Sequence, residues 1–267
     1  MSYPPNTPLG RLGVETLDEN PRRCVASIPV GGLVNPLTGA PTIAPMAMLV
    51  DHVGGLVNHY RREPGEWTVS SELALELTPD ATALIAAAPQ IPVVATGRPF
   101  GTRGAAALGL CELTHGGELV ATATVRSFYV RAPEDIAEWR PAPSAAAPPA
   151  GLAEKLAVRV AESGGSAMVL QQLPDPVLNN LIGIVHGGVS SAALELVASA
   201  AVNDGRADPL HTASLRVNFL RPFQGGTESR YEGTALRVGR SSGVGEARAV
   251  GDDGEVAIIA RLTAYSR

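Results

Sequence analysis

The chain has 267 residues, 45% of them hydrophobic and 18% charged, with a formal charge of −5 at neutral pH. This describes a globular chain long enough for one large or two small domains, and its acidic balance argues against a nucleic-acid partner. Cys24 and Cys111 are the only cysteines, too few for a disulfide framework or a cysteine-based zinc site.

Residues 1–21 lack both a basic region and an apolar core, so they read as a mobile N-terminal arm and not as a signal peptide. No apolar run reaches membrane-spanning length, so a cytoplasmic setting without a membrane partner is expected. Residues 22–131 form a first unit. A short extended segment over 22–29 leads into a turn-rich stretch marked by Gly31-Gly32 and Asn35-Pro36. Residues 44–57 then give an apolar helix pattern, with Pro45 where a first helical turn tolerates it and Asp51 as its one acid. Leu73, Leu75 and Leu77 alternate with polar or small residues as a half-buried strand should, and further strands are expected at 93–94, 105–113 and 118–130.

Residues 132–151 are rich in proline and alanine, with little to bury, and read as an extended linker. The second unit, 152–267, repeats the first. A polar loop carrying Asn180 and His186-Gly187-Gly188 opens an apolar helix whose only ionisable residue over 189–202 is Glu195. Leu215, Val217 and Phe219 answer the leucines of the first strand, and the hairpin at Gly254 answers that at Gly117. The period is 195 − 51 = 144 at the acids and 254 − 117 = 137 at the hairpins, too long for a solenoid and suited to two fused domains. A carboxylate inside either apolar helix costs several kcal/mol unless something satisfies it, so both acids call for a reason.

Asn180, His186-Gly187-Gly188 and Glu195 stand at the spacing of the motif of hotdog-fold acyl-CoA thioesterases, and the second half resembles the branch that includes the phenylacetate-pathway enzyme. The resemblance implies an α+β fold, a tandem double hotdog, in which each repeat wraps a curved antiparallel sheet around a long central helix. It also implies hydrolysis of acyl-CoA thioesters in lipid metabolism, with coenzyme A as part of the substrate, no separate cofactor and no metal. A homo-oligomer of such double protomers is expected. Two other readings stay open: a non-catalytic acyl-CoA binding or regulatory protein, and an acyl-CoA hydratase or dehydratase, which ranks lower because no Gly-Asp-x-Asn-Pro type of motif occurs.

A thioester hydrolase needs donors where the carbonyl oxygen gains charge, and a carboxylate that attacks the carbonyl carbon or activates water. Gly187 and Glu195 are eight residues apart on one helix, a rise of roughly 12 Å, too far for both to touch one thioester. In family dimers the acid comes from the neighbouring helix. Transferred to the repeat, this gives one half-site made of Asn180, His186 and Gly187 with Asp51 and Thr68. The other combines Glu195 and Thr212 with Asn35, and Ile43-Ala44-Pro45 stands there in place of His-Gly-Gly. Missing donor and added bulk make this second half-site degenerate, although Glu195 has the better local motif and stays a candidate.

Thr68 follows Asp51 by 17 positions, as Thr212 follows Glu195, and Ser70 on the same strand face is an alternative to Thr68. Both threonines have the plain alternative of strand-forming residues. His186 has two readings, a brace for the loop or a proton-transfer group. Arg103 and Arg240 occupy equivalent glycine-flanked turns, either as coenzyme A phosphate contacts or as solvated turn arginines.

Overall fold

The computed structural model describes residues 1–132, 149–164 and 167–266. The first repeat runs α1 (Pro8–Leu12), β1 (Glu15–Asn20), β2 (Arg23–Ile28), α2 (Pro45–His59), β3 (Glu66–Leu77), α3 (Ala81–Ala87), β4 (Val93–Phe100), β5 (Ala106–His115) and β6 (Glu118–Arg131). The second runs α4 (Leu152–Lys155), β7 (Val158–Glu162), β8 (Met168–Gln172), a 3-10 turn (Pro176–Leu178), α5 (Gly187–Val202), β9 (His211–Phe219), β10 (Arg230–Val238), β11 (Ser242–Val250) and β12 (Val256–Tyr265). Most of the expected linker, residues 133–148, lies outside the described residues.

All the strands pair antiparallel in one sheet, in the order β1-β2-β4-β5-β6-β3-β9-β12-β11-β10-β8-β7. Matched repeat to repeat, that order reads the same from either end, so a pseudo-twofold axis lies at the β3–β9 seam. There Leu73 pairs with Val217. Their separation, 217 − 73 = 144, equals that of the two helix acids, so each of these residues faces its own repeat mate and the axis passes through the pair.

Helix α2 packs on β2 to β6, α5 packs on β8 to β12, and the two helices pack against each other. That arrangement leaves neither helix a free face, which explains why both are apolar nearly all round. Glycines in the sheet let the helices sit close: a Cβ on Gly109 would lie 2.6 Å from the Gly54 carbonyl oxygen, and one on Gly233 would lie 2.2 Å from that of Val197. At the seam Leu73, Leu75, Leu215 and Val217 are fully buried, each contributing about 1.5–3 kcal/mol.

The first twenty residues depart from the expected arm. Leu12 and Val14 are buried, and β1 pairs along β2 as the edge strand. An edge strand that buries one face of only a few residues carries too short an apolar pattern to stand out in sequence. The unforeseen α3 lies between β3 and β4, the interval within which the repeat offset falls from 144 to 137.

Candidate active site

The N-terminus of α5 points at the middle of α2. His186 is the N-cap, and its Nδ1 accepts the Gly188 N–H at 3.1 Å. Gly187 opens the helix, so its N–H has no intrahelical acceptor and stands at the positive end of the dipole. A Cβ there would lie 3.0 Å from Asp51 Oδ2 and 3.2 Å from the Phe219 ring, so a side chain at this position would press on both. Asp51 is buried, with 7% exposure.

The loop before α5 fixes Asn180. Its Oδ1 accepts the N–H groups of Ile182 at 3.1 Å and Ile184 at 3.3 Å, which fixes the amide's orientation. The Nδ2 group has no acceptor among the described residues, and Asn180 lines the same cavity as Asp51 and Gly187. Asn180, His186, Gly187 and Asp51, expected from sequence to meet, are therefore together.

His186 Nδ1 also stands 3.3 Å from Asp51 Oδ2. One ring nitrogen cannot accept from Gly188 and donate to Asp51 at once. Burial drives the His186 pKa down, opposed by the Asp51 charge, which favours the neutral ring with its proton on Nε2 and Nδ1 as the acceptor for Gly188. In that geometry the ring ties the loop to the first turn of α5.

The two hydroxyls are sorted by a bulge. Ser70 donates to Asp51 Oδ1 at 2.9 Å, while Thr68 Oγ1 pairs with His59 Nδ1 at 3.1 Å. In the second repeat the equivalent of Thr68, Thr212, does reach its acid, with 2.7 Å to Glu195 Oε1. The β3–β6 register slips between Ser70 and Glu72, leaving Ser71 extra, whereas the β12–β9 register slips at Ala213. The bulges are two positions apart after the 144 offset, since 71 + 144 = 215. The hydroxyl just before the bulge is then Ser70 in one repeat and Thr212 in the other.

A cavity of about 800 Å³ opens beside these groups. Its walls are largely apolar, with Leu56, Trp67, Val69, Phe128 and Val130 from the first repeat and Ile182, Ile184, Phe219 and Phe223 from the second. His59 stacks edge-on against Trp67, with centroids 4.9 Å apart, and burial lowers its pKa to about 4. His52 also lines the cavity; it bonds Thr16 Oγ1 at 3.0 Å, and burial lowers its pKa to about 3. Arg103 and Arg240 lie outside the lining. Arg103 is ion-paired with Glu66 and Glu63 and lies 4.3 Å above the Tyr129 ring, and Arg240 is exposed in the β10–β11 turn. The arginine that does line the cavity is Arg221, a residue with no motif to mark it in sequence.

The second half-site is a separate cavity of about 310 Å³ that contains Glu195, Thr212, Thr42 and Asn35. Glu195 is 1% exposed, its pKa is raised by burial, and Thr42 donates to its Oε2 at 3.1 Å. Thr42 Oγ1 also accepts the Ala44 N–H at 3.1 Å, as His186 Nδ1 accepts that of Gly188. With 42 + 144 = 186, the counterpart of His186-Gly187-Gly188 is Thr42-Ile43-Ala44, one residue before the Ile43-Ala44-Pro45 alignment read from sequence. Pro45 therefore replaces Val189, and the bulk in the place of Gly187 is Ile43.

Comparison with known proteins bears on the fold and on the second repeat. Residues 182–258 match the family model of the thioesterase superfamily. Over 97% of this chain and 98% of its own, a tesB protein from Mycobacterium avium subs paratuberculosis is similar in structure, with a TM-score of 0.62 at 12% identity. The acyl-CoA thioesterase II TesB2 from Mycobacterium marinum is similar over 96% of this chain and 95% of its own, with a TM-score of 0.58 at 16% identity. A conserved hot dog fold protein from Alicyclobacillus acidocaldarius is similar over 95% and 96%, with a TM-score of 0.59 at 15% identity. The search of curated proteins gives no match. The chain has the fold of a tandem double hotdog, and its second repeat is similar to the thioesterase superfamily over residues 182–258.

Proposed function

We propose that the chain is an acyl-CoA thioesterase acting at the Asp51 half-site. The observation that carries this reading is the convergence of two donors without an acceptor among the described residues, the Gly187 N–H and the Asn180 amide, with the buried Asp51 beside an apolar cavity. The thioester carbonyl oxygen sits between the donors, where charge develops as the carbon becomes tetrahedral. Asp51, held by Ser70, takes a proton from water; the water oxygen bonds to the carbonyl carbon, the C–S bond breaks, and the proton passes to the departing sulfur. His186 braces the loop. The acyl chain lies along the apolar walls, and Arg221 at the rim, paired with Glu255 at 3.4 Å, meets a phosphate of the coenzyme A portion by exchanging that half-exposed partner.

The motif match and the full-length similarity in fold support a thioester substrate; the apolar walls support an acyl group. A panel of acyl-CoA thioesters of increasing chain length, followed by thiol release, tests the reading. Turnover should appear for at least one chain length and fall at least 10²-fold in Asp51→Asn. Absence of thiol release across the panel would overturn it.

A further inference from the structure

The two half-sites differ in a way that singles out one residue without a side chain. In the second half-site Asn35 stands where Asn180 stands in the first. Asn35 N donates to Ala40 O and Asn180 N to Ile184 O, both at 2.8 Å, with 40 + 144 = 184. Each side-chain oxygen accepts the N–H two residues on, from Leu37 at 2.9 Å and from Ile182 at 3.1 Å. The Nδ2 groups part company. Asn35 Nδ2 is captured, donating to Leu196 O at 2.8 Å and to Ser199 Oγ at 3.2 Å, whereas Asn180 Nδ2 has no acceptor among the described residues.

The repeat mate of Ser199 is Gly55, since 55 + 144 = 199, and Gly55 lines the Asp51 cavity as Ser199 lines the other. The space at Gly55 is open: a Cβ there would have its nearest neighbour, Ser70 Oγ, at 4.0 Å. Sterics therefore do not demand glycine at this position. What glycine withholds is a hydroxyl.

We propose that Gly55 is a positioning residue for the thioester site, acting by withholding from Asn180 the hydroxyl that in the second repeat completes the latch begun at the Leu196 carbonyl, and that the Asn35–Ser199–Leu196 latch, together with Ile43 in the place of Gly187, silences the second half-site. A side-chain amide already bonded to its own protein must give up that bond before it can stabilise an oxyanion. The latch thus removes a donor that acts mainly in the transition state. The protomer then has one working site out of two formed by the repeat. This rests on the thioesterase reading above.

The test is a comparison of Gly55→Ser with Gly55→Ala, each alone and combined with Asn180→Ala, using the best acyl-CoA of the panel. Gly55→Ser should lower kcat at least tenfold with KM changed less than threefold, because it captures the donor without filling the cavity. Gly55→Ala, which adds the Cβ without an acceptor, should lose far less. Adding Asn180→Ala to Gly55→Ser should cost little more, since both remove the same donor. Equal losses in the serine and alanine variants, or full additivity with Asn180→Ala, would overturn the inference while leaving wild-type hydrolysis intact. Should Gly55→Ser not fold, the wild-type protein carries the test: by nitrogen-15 NMR the Asn35 side-chain amide should exchange with solvent much more slowly than that of Asn180. Equally fast exchange of both overturns the latch.

Discussion

Ser70 holds Asp51 across 2.9 Å, while Thr68, two residues before it, pairs its hydroxyl with His59 Nδ1. The two hydroxyls should therefore separate kinetically. Ser70→Ala removes the one side-chain donor to Asp51 Oδ1 among the described residues and is expected to lower kcat by about 10²-fold, in the range typical of lost general-base catalysis. Thr68→Val disturbs the His59–Trp67 wall and should appear mainly in KM. A larger kcat loss in Thr68→Val than in Ser70→Ala would return the role to Thr68.

Asp51→Asn and Glu195→Gln separate the half-sites. The first should remove at least 10²-fold in turnover and the second little. Glu195 also makes a prediction for stability. Its pKa is raised by burial, so between the ordinary value of 4.5 and the raised one the folded state holds a proton that the unfolded state has lost. Stability from this group is present below pH 4.5 and is lost as pH rises through the raised pKa. Glu195→Gln should therefore have a higher Tm than the wild type at pH 8, with the difference shrinking toward pH 4.5. A lower Tm at pH 8 would show that the carboxylate is stabilised by its threonines more than burial penalises it.

The cavity histidines give the opposite slope. Burial lowers His52 to about 3 and His59 to about 4 from 6.5, so unfolding takes up protons throughout that interval. Stability is full above pH 6.5 and falls as pH drops through it toward the folded values. Urea unfolding at a series of pH values should show this acid lability, and His52→Gln should flatten it. An unchanged slope in that variant would mean that His52 charges without unfolding.

What the sequence conveyed depended on how local each signal was. The pairing of Asp51 with Asn180 and Gly187 was legible because a rise of roughly 12 Å along a helix forbids the Gly187–Glu195 alternative whatever the tertiary structure. Ser70 was ambiguous because the equal 17-residue intervals to Thr68 and Thr212 carry no trace of a bulge that moves by two positions, and strand facing flips at each bulge. The one-residue error at Ile43 arose because Pro45 drew the alignment to itself, whereas the cap hydrogen bond of Thr42 that sets it right exists only in three dimensions. Arg103 looked free to bind phosphate because its partners, Glu63, Glu66 and Tyr129, lie on other elements. The N-terminal segment misled for a similar reason: it has no core of its own and is ordered by what it touches.

That segment also joins the two repeats, which gives the last prediction. Arg11, in α1, pairs with Asp175 at 3.0 Å and donates to Glu154 O at 3.3 Å, while Lys155 Nζ donates to Arg11 O at 3.0 Å. The Arg11 and Asp175 side chains are 14% and 21% exposed, sheltered enough for the pair to matter. Asp175 caps the turn Pro176–Leu178 through the Val177 N–H, and Leu178 O accepts the His186 N–H at 2.9 Å. Arg11 is thus tied to the loop that carries Asn180 and His186. Arg11→Ala should cost about 1.5–3 kcal/mol of stability, the scale of a hydrogen bond to a charged group. It should also lower kcat several-fold by loosening the donor loop, with Arg11→Lys recovering part of both. Urea melts and steady-state kinetics on the two variants read these effects. If Arg11→Ala keeps both its midpoint and its kcat, the N-terminal segment is packing alone and has no hold on the site.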